Sequence, residues 1–408
     1  MIRKVLLAVS LLCNAVSWAQ SPVLGIFEDT NFPTDVLGER DGKHRLEIID
    51  NELYAATEKG IFKYSESTNS WSLWALADVN VMDFKVNGDE VVAITVPKDQ
   101  KGFRAVQLAR LIRFNRNQSE WEDIMDADMG YYYHDQLLTY VMRLAQHPSK
   151  PQTLMVAAHP GIWISEDFGS TWDLKFDWLY GYNENQFLGW HPVSSDVLFY
   201  TSESPLFDAQ ILRSGNGGQD WDIINPDASG DNSCHCLAFD PKNTSHILYS
   251  GEGCIFESDD CGVTWHCVYR QDEYNQETAI GYAYNIMYDN TNDNVLYAVG
   301  CDTRVLCIYV FKSSDNGKTW ERIAKSDSFA DNWYKYWISE SVFFNGKIYA
   351  FTNSGVLAFT PDNYSGIIQV NIDDSQTESD VYDLLGRKVS VLQPGTIYIQ
   401  SGKKILIK

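Results

Sequence analysis

The segment Ser165-Glu166-Asp167-Phe168-Gly169-Ser170-Thr171-Trp172 has the pattern Ser-x-Asp-x-Gly-x-Thr-Trp, and this pattern repeats along the chain. It recurs in full at residues 258–265 and 313–320, and with two exchanged residues at 214–221. The four segments begin at residues 165, 214, 258 and 313, so they are 49, 44 and 55 residues apart. This is the length of one four-stranded propeller blade.

The residue types of the repeat suit a tight turn between two strands. A short turn needs a residue with positive φ, which glycine supplies at little cost. The Asp side chain accepts hydrogen bonds from the amides of its own turn, and the Ser and Thr hydroxyls add more. The Trp opens the following strand and buries a large face. We therefore interpret the Asp residues of the repeat as structural and not catalytic.

Two further phrases recur before this turn. The first is an alternating strand, a glycine-containing turn and a second strand, found at residues 53–62, 154–163, 248–256 and 348–357. The second is a turn between the first two strands of a blade, marked by His147-Pro148, His191-Pro192 and Asp240-Pro241. Both phrases are typical of β-hairpins, and both histidines are interpreted as turn residues.

Together the phrases define seven repeat units. The units centre on residues 46–76, 81–125, 139–176, 186–225, 234–269, 284–324 and 338–361. Residues 23–30 are a candidate strand that completes the last blade and removes its exposed edge. The prediction is an all-β chain, with a seven-bladed β-propeller of four-stranded blades over residues 20–365 and a short C-terminal β appendage over 366–408.

The first nineteen residues have the features of a signal peptide. Arg3 and Lys4 give a positive start, an apolar run extends from Val5 to Val16, and Ser17-Trp18-Ala19 provides small residues at the cleavage positions. We expect cleavage after Ala19 and a protein that is secreted or held at the cell surface. No later stretch approaches 18 apolar residues, so no transmembrane segment is expected.

The formal net charge of −23 restricts the possible partners. Such a surface repels phosphates and sulfates, so nucleic acid is not expected and strongly anionic polysaccharides are disfavoured. No calcium-binding loop is found, and neither a metal nor a cofactor is predicted. Cys301 and Cys307 flank a short turn, so a disulfide between them is one option. For the cysteines from Cys234 to Cys267 a zinc site is an option, although their spacing fits no ligand pattern.

The repeated turn resembles that of the Asp-box (BNR) repeat propellers over roughly residues 23–365. The stretch AQHPSKPQTLMVAAHPGIWISEDFGSTW at 145–172 is most similar to the sortilin-type and xyloglucanase-type members. The resemblance implies the fold, but the group includes sialidases, other glycosidases, receptors and assembly factors. The chain has no Arg-Ile-Pro phrase and no evident arginine triad, so sialidase activity is disfavoured. Xyloglucanases of this type use two facing propellers, and their catalytic pair is not carried over to one.

A second resemblance concerns the tail. The segments 381–389, 394–399 and 402–408 resemble the C-terminal sorting domain of the type IX secretion system of Bacteroidetes. The alternative is a small β-hairpin appendage.

Four loops that lead from the outer strand of one blade to the inner strand of the next are rich in aromatic residues, carboxylates and amides: 126–138, 177–187, 270–284 and 327–340. Function in propellers usually lies on such loops. The candidate ligand-binding residues are Tyr132, Tyr133, Trp178, Tyr180, Tyr182, Tyr274, Trp333, Tyr334 and Trp337. The candidate catalytic residues are Asp177, Glu184, Asp272, Glu273, Asp331 and His134.

This mixture of side chains favours a neutral oligo- or polysaccharide, because sugar C–H faces stack on aromatic rings while amides and carboxylates bond the hydroxyls. A glycoside hydrolase needs two carboxylates about 5–10 Å apart. The carboxylates that could form such a pair are Asp177, Glu184, Asp272, Glu273, Glu277, Asp331 and Glu340. A polysaccharide lyase needs a base such as His134 or His235. The sequence therefore predicts an exported propeller that recognises, and in one version cleaves, a polysaccharide. The alternative is a non-catalytic propeller that binds a surface protein.

Overall fold

The structure of the chain is a computed structural model. The structure describes residues 24–36, 45–98, 107–118, 120–177, 184–203, 210–226, 236–251, 253–270, 282–290, 292–302, 306–328, 338–361, 367–370, 381–382, 388–389, 393, 396–400 and 403–407.

The chain is nearly all β and forms seven four-stranded antiparallel blades, as predicted. The N-terminal strand β1 (Glu28–Asp29) is followed by one 3-10 turn (Thr34–Val36). Strands are given from the inner to the outer strand of each blade: the first blade is β2 (Leu46–Ile49), β3 (Glu52–Thr57), β4 (Gly60–Ser65) and β5 (Ser70–Ala75), and the second is β6 (Val81–Asn87), β7 (Glu90–Thr95), β8 (Arg110–Asn115) and β9 (Trp121–Asp123). A separate hairpin of β10 (Tyr131–Tyr133) and β11 (Gln136–Leu138) follows. The third blade is β12 (Arg143–His147), β13 (Lys150–Ala158), β14 (Gly161–Ser165) and β15 (Asp173–Phe176), and the fourth is β16 (Glu184–Trp190), β17 (Leu198–Glu203), β18 (Gln210–Ser214) and β19 (Asp222–Ile224).

The last three blades complete the ring, and the N-terminal strand closes it. They are β20 (Cys236–Phe239), β21 (Ile247–Gly251), β22 (Cys254–Ser258) and β23 (His266–Arg270); β24 (Tyr282–Tyr288), β25 (Leu296–Asp302), β26 (Cys307–Ser313) and β27 (Glu321–Lys325); and β28 (Ile338–Phe344), β29 (Lys347–Thr352) and β30 (Gly355–Phe359) with β1 as outer strand. The predicted closure is confirmed, because β1 pairs with β30 through Glu28 opposite Ala358 and Asp29 opposite Leu357.

The tail strands form a separate sheet. β31 (Ile367–Val370) runs parallel to β34 (Lys403–Ile407), which pairs with β33 (Ile397–Gln400), and β32 (Val381–Tyr382) completes the sheet. The sheet lies outside the compact unit formed by residues 25–365.

The core consists of seven apolar clusters, one between each pair of adjacent blades. Alternate side chains of a strand point to opposite faces of its sheet, so each blade supplies both of its neighbours. Buried tyrosines of the second strands are central: Tyr249, Tyr297 and Tyr349 are all less than 2% exposed. The cluster between the last and first blades contains Tyr349 and Trp71, which shows that the ring is closed by packing as well as by strand pairing.

The hydrogen bonds predicted for the repeated turns are present. In the turn at 258–265, Asp260 accepts hydrogen bonds from the amide of Thr264 at 2.8 Å and from its hydroxyl at 2.6 Å. Ser258 Oγ donates to Asp260 at 2.8 Å and accepts from the amide of Gly262 at 2.8 Å. Burial opposes ionisation of Asp260, but the bonds from Thr264, Ser258 and Val263 outweigh it and lower the pKa of the carboxyl to about 2.

One detail of these turns differs from the prediction. Two consecutive residues have positive φ, the glycine and the residue before it. The residue before the glycine is Phe168 (φ 56°), Gly217, Cys261 (φ 60°) or Asn316 in the four turns. A non-glycine residue is strained there. Phe168 offsets the strain by burying its ring in the core cluster between the second and third blades.

The turn at 214–221 provides a natural comparison. Asn216 stands in the Asp position, accepts from the amide of Asp220 at 2.9 Å and donates from Nδ2 to the Asp220 carboxylate at 2.8 Å. The carboxylate now lies at position 220, where the other turns have Thr, and its hydrogen-bond donor lies at position 216, where they have Asp. The two side chains still bond each other, so the turn keeps its shape.

We expect Asp260→Ala to lower the free energy of unfolding by about 1 kcal/mol, because the variant leaves amides of the turn without acceptors. The double variant D260N/T264D, which copies the turn at 214–221, should recover most of this loss. The folded-state pKa of Asp260 is below its ordinary value, so its contribution is full above pH about 4 and disappears as pH falls through 2. Urea unfolding of the three proteins between pH 2 and 7 tests this, and a D260A protein as stable as wild type at pH 7 would refute it.

Both turn histidines have the predicted role. His191 Nδ1 accepts from the amide of Ser194 at 3.1 Å, and His147 Nδ1 accepts from the amide of Ser149 at 3.1 Å. Asp240 caps its turn in the same way through the amide of Lys242 at 2.8 Å.

The disulfide option between Cys301 and Cys307 is wrong. Cys301 lies opposite Ile308 and Cys307 opposite Asp302, so the two side chains point to opposite faces of the sheet. They belong to different core clusters, one on each side of the sixth blade. For the zinc option, Cys234 lies outside the described residues, and no group of three His, Cys, Asp or Glu side chains suited to a metal is found among the residues that the structure describes.

Candidate functional site

Strand direction assigns every connection of the propeller to one of two faces. The Asp-box turns, between the third and fourth strands, lie on the same face as the turns between the first and second strands; we call this the box face. The loops from an outer strand to the next inner strand open on the opposite face, the loop face, together with the turns between the second and third strands. The strand ends that the predicted site loops connect therefore all lie on the loop face.

A tyrosine-rich hairpin stands on the loop face between the second and third blades. Strands β10 and β11 pair Tyr131 with Leu138, Tyr132 with Leu137 and Tyr133 with Gln136. We call residues 131–138 the tyrosine hairpin. Its three consecutive tyrosines are 38%, 75% and 57% exposed, which is unusual for rings of this size.

The base of the tyrosine hairpin is fixed to both neighbouring blades. Gly130 donates its amide to the carbonyl of His159 at 2.7 Å, and His159 donates its amide to the carbonyl of Thr139 at 2.9 Å. The amide of Thr139 bonds the carbonyl of Gln107 at 2.8 Å on the side of the second blade. The hairpin is therefore held by main-chain bonds rather than by side-chain contacts alone.

Aromatic side chains support the hairpin from beneath. The Tyr131 ring stacks on Tyr140 with centroids 6.1 Å apart and planes 11° apart, and lies 4.8 Å from the His159 ring. Hydrogen bonding to Tyr140 and burial raise the pKa of Tyr131. Burial lowers the pKa of His159, so the imidazole is neutral at neutral pH. The rings that support the hairpin therefore carry no positive charge at neutral pH.

The second feature is a cluster of charged side chains on the inner strands, which we call the channel cluster. It consists of Arg45, Glu47, Asp83, Lys85, Arg143 and Glu340. The cluster contains three cations and three anions, so its formal charges cancel.

Glu340 is the centre of one half of the channel cluster. Its carboxylate lies 3.1 Å from the Arg143 guanidinium and 3.8 Å from that of Arg45, and it accepts a hydrogen bond from Asn285 Nδ2 at 2.9 Å. These residues come from the third, first and sixth blades, while Glu340 belongs to the seventh, so the contacts cross the central channel. Glu340 is only 8% exposed.

Asp83 and Lys85 form the other half. Asp83 is 1% exposed and accepts from the amide of Leu144 on the next blade at 2.9 Å. Lys85 bonds both Glu47 and Asp83, and although burial opposes its charge, these two carboxylates raise the pKa of Lys85. All three channel carboxylates are thus engaged by cations. Burial nevertheless raises the pKa of Glu47, because the loss of solvation outweighs its ion pair with Lys85.

The structure brings three of the predicted site residues together, because Tyr132, Tyr133 and His134 lie on the tyrosine hairpin. His134 and Asp135 form its tip with φ of 48° and 63°. Asp177 is exposed just after β15, and Glu184 is the first residue of β16, opposite Glu203. The others lie outside the described residues: Trp178, Tyr180, Tyr182, Asp272, Glu273, Tyr274, Asp331, Trp333, Tyr334 and Trp337.

Sequence reasoning missed the residues that support the site. Tyr140 and His159 come from different connections and meet only in the fold. The channel arginines carry no local pattern, since Arg143 and Glu340 are 197 residues apart. No helix in the described part of the chain is long and apolar enough to span a membrane.

Comparison with known proteins places the fold in context. No family model and no curated protein matches the chain. Among solved structures, it is similar to the GH74 xyloglucanase from Xanthomonas campestris, with a TM-score of 0.58 and 14% identity over 92% of this chain and 59% of that one. For a GH74 enzyme from Niastella koreensis, the TM-score is 0.59 and the identity 14% over 92% of this chain and 58% of that one. For YCF48 bound to a D1 peptide, the TM-score is 0.52 and the identity 13% over 79% of this chain and 94% of that one.

At these identities the likeness shows the fold alone: the chain is a seven-bladed β-propeller of the architecture that these proteins share. It spans 59% of the length of the Xanthomonas enzyme.

Proposed function

We propose that this chain is an exported propeller that binds a neutral polysaccharide on its loop face, with the tyrosine hairpin as the contact surface. The observation that carries the proposal is the set of three exposed tyrosines on a hairpin braced by Tyr140 and His159. Tyrosine rings give apolar area for sugar C–H faces and hydroxyls for sugar oxygens. Because the hairpin is already ordered, little conformational entropy is lost on binding.

Binding is favoured over cleavage by the state of the channel carboxylates. Glu340 and Asp83 are buried in ion pairs and hydrogen bonds, so neither carboxylate is free to contact a glycosidic bond as hydrolysis requires. A cleaving version of the proposal would rely instead on Asp177, Glu184, Asp272, Glu273 or Asp331, or on His134 as a lyase base. Product release from the same glycans separates the two versions.

The first test is affinity for a panel of neutral glycans: xyloglucan, galactomannan, laminarin and mixed-linkage glucan. We expect the double variant Y132A/Y133A to bind at least about tenfold more weakly than wild type, since each lost ring contact is worth roughly 1 kcal/mol. Trp121→Ala is the matched control, because Trp121 is a 57% exposed aromatic residue on the outer strand β9 and away from the hairpin. Affinity electrophoresis and calorimetry measure the difference.

Three outcomes are informative. Retention of a glycan without new oligosaccharides supports a binding protein, and new oligosaccharides support an enzyme. Equal losses in the hairpin variant and the Trp121 control would contradict the assignment of the hairpin. Failure to retain any glycan would contradict the proposal and favour the alternative, a propeller that binds a protein at the cell surface.

The proposal includes export. It is supported by the charged start at Arg3 and Lys4, the apolar run from Val5 to Val16 and the small residues before position 20. The tail resemblance supports sorting to the cell surface. Terminal sequencing of the secreted protein tests both points, since it shows whether the chain begins at residue 20 and whether residues 366–408 are retained.

A further inference from the structure

The tyrosine hairpin stands in a stretch of chain without lysine or arginine. Residues 117–142 contain no Lys and no Arg, but they contain six carboxylates: Glu120, Glu122, Asp123, Asp126, Asp128 and Asp135. The imidazole beneath the hairpin adds no charge at neutral pH, because burial lowers the pKa of His159. The contact surface is therefore bordered by negative charge on its own segment.

The nearest basic side chains in sequence are already engaged. Arg110 lies 2.6 Å from Asp123, Arg113 lies 2.5 Å from Glu122, and Arg116 lies 2.8 Å from Asp89. Arg143 is committed to Glu340 in the channel cluster. These cations are held by carboxylates of the second blade or of the channel cluster.

Three carboxylates remain beside the tyrosines. Asp135 is at the hairpin tip, and Asp126 and Asp128 form the turn that leads directly into Gly130, where Asp128 donates its amide to Asp126 Oδ1 at 2.9 Å. In the part of the chain that the structure describes, none of the three forms a salt bridge. Their charge thus acts on whatever lies against the rings.

We infer that the tyrosine hairpin selects its glycan by charge: it accepts an uncharged chain and rejects the same chain bearing carboxylates. The inference rests on the proposed function and narrows its substrate class to unsubstituted neutral glycans. At a separation of roughly 8 Å in water, three like charges together weaken the binding of a ligand carboxylate about tenfold. Because the charges are exposed, added salt screens the effect.

The experiment uses one glycan in two forms. Xyloglucan is compared with the same xyloglucan after oxidation of its primary hydroxyls to carboxylates, at about 20 mM and about 500 mM sodium chloride. Hydroxyethylcellulose and carboxymethylcellulose provide a second pair. We expect the carboxylated form to bind about tenfold more weakly at low salt and the ratio to approach one at high salt.

Two triple variants locate the effect. Asp126→Asn, Asp128→Asn and Asp135→Asn together should remove most of the discrimination between the neutral and the carboxylated form. The control is Asp196→Asn, Asp222→Asn and Asp259→Asn, which changes net charge equally at exposed positions on other blades.

The outcomes separate the inference from the function on which it rests. Equal binding of neutral and carboxylated chains at low salt would overturn the inference while leaving glycan binding intact. Loss of discrimination in the control triple to the same extent would also overturn it, because global charge would then be the cause. If neither neutral glycan binds, the proposed function fails and the inference fails with it.

Discussion

Replacing Glu340 by alanine is expected to lower the free energy of unfolding by about 3–5 kcal/mol, among the largest effects of any single substitution in this chain. Glu340 is 8% exposed and is approached by the guanidinium groups of Arg143 and Arg45. Its removal leaves two cations close together inside the channel, and it also removes the acceptor of Asn285. Urea unfolding followed by tryptophan fluorescence measures the change.

The matched variants test whether charge is the cause. Glu340→Gln keeps the side-chain shape and an acceptor for Asn285 but removes the negative charge, so we expect most of the loss to remain. The double variant E340L/R143L removes Glu340 together with its partner Arg143. Its loss of unfolding free energy should be smaller than the sum of the losses in E340L and R143L alone. A loss below about 1 kcal/mol for Glu340→Ala would contradict a structural role for the cross-channel contacts.

The blades could be predicted because their signals are local and repeated. A turn such as 258–265 contains the donor and acceptor of every bond that it needs, and four copies set the blade length. The recurring glycine of the strand phrase has a comparable reason: a Cβ at Gly161 would lie 1.6 Å from the carbonyl oxygen of Phe176 on the outer strand. Such constraints act within a few tens of residues and remain visible in one sequence.

The site was predictable only in part, because its contacts are not local. The run of tyrosines indicated a ligand surface, but nothing in the sequence indicates that Tyr131 stacks on Tyr140 above His159. Arg143 and Glu340 meet only after the ring is complete, and their residue types are equally common on solvated surfaces. The left-handed position filled by Phe168 was also unpredictable, since packing in the core determines it.

Removal of the N-terminal segment is expected to have a still larger effect. A chain that begins at residue 37 instead of residue 20 should lose more than about 5 kcal/mol of stability, which is most of what a typical domain has. Phe32 is buried against Trp71 and Phe351 with centroids 5.0 and 5.1 Å apart, and burial of such a ring is worth about 3–5 kcal/mol. Thr30 adds a buried hydrogen bond to the Val356 carbonyl at 2.6 Å.

The segment acts on two blades at once, which makes its loss more costly than the loss of one edge strand. Gly25 pairs in parallel with Ala324 of β27 in the sixth blade, and its amide donates to the Ile323 carbonyl at 2.8 Å. Three residues later the same segment becomes the outer strand of the seventh blade, and the Trp71 indole of the first blade donates to Thr30 Oγ1 at 3.1 Å. Truncation therefore exposes strand edges and opens the seam between the last and first blades.

Complementation in trans distinguishes this mechanism from general damage to the chain. A synthetic peptide of residues 24–36 should raise the unfolding midpoint of the truncated protein in a concentration-dependent manner, because the peptide binds only the folded ring. The same peptide with Phe32→Ala should fail, since it lacks the ring that fills the seam. A truncated chain that unfolds at the same urea concentration as the full chain would show that the seam is held by Tyr349 and Trp71 alone, and that the N-terminal strand merely covers an edge.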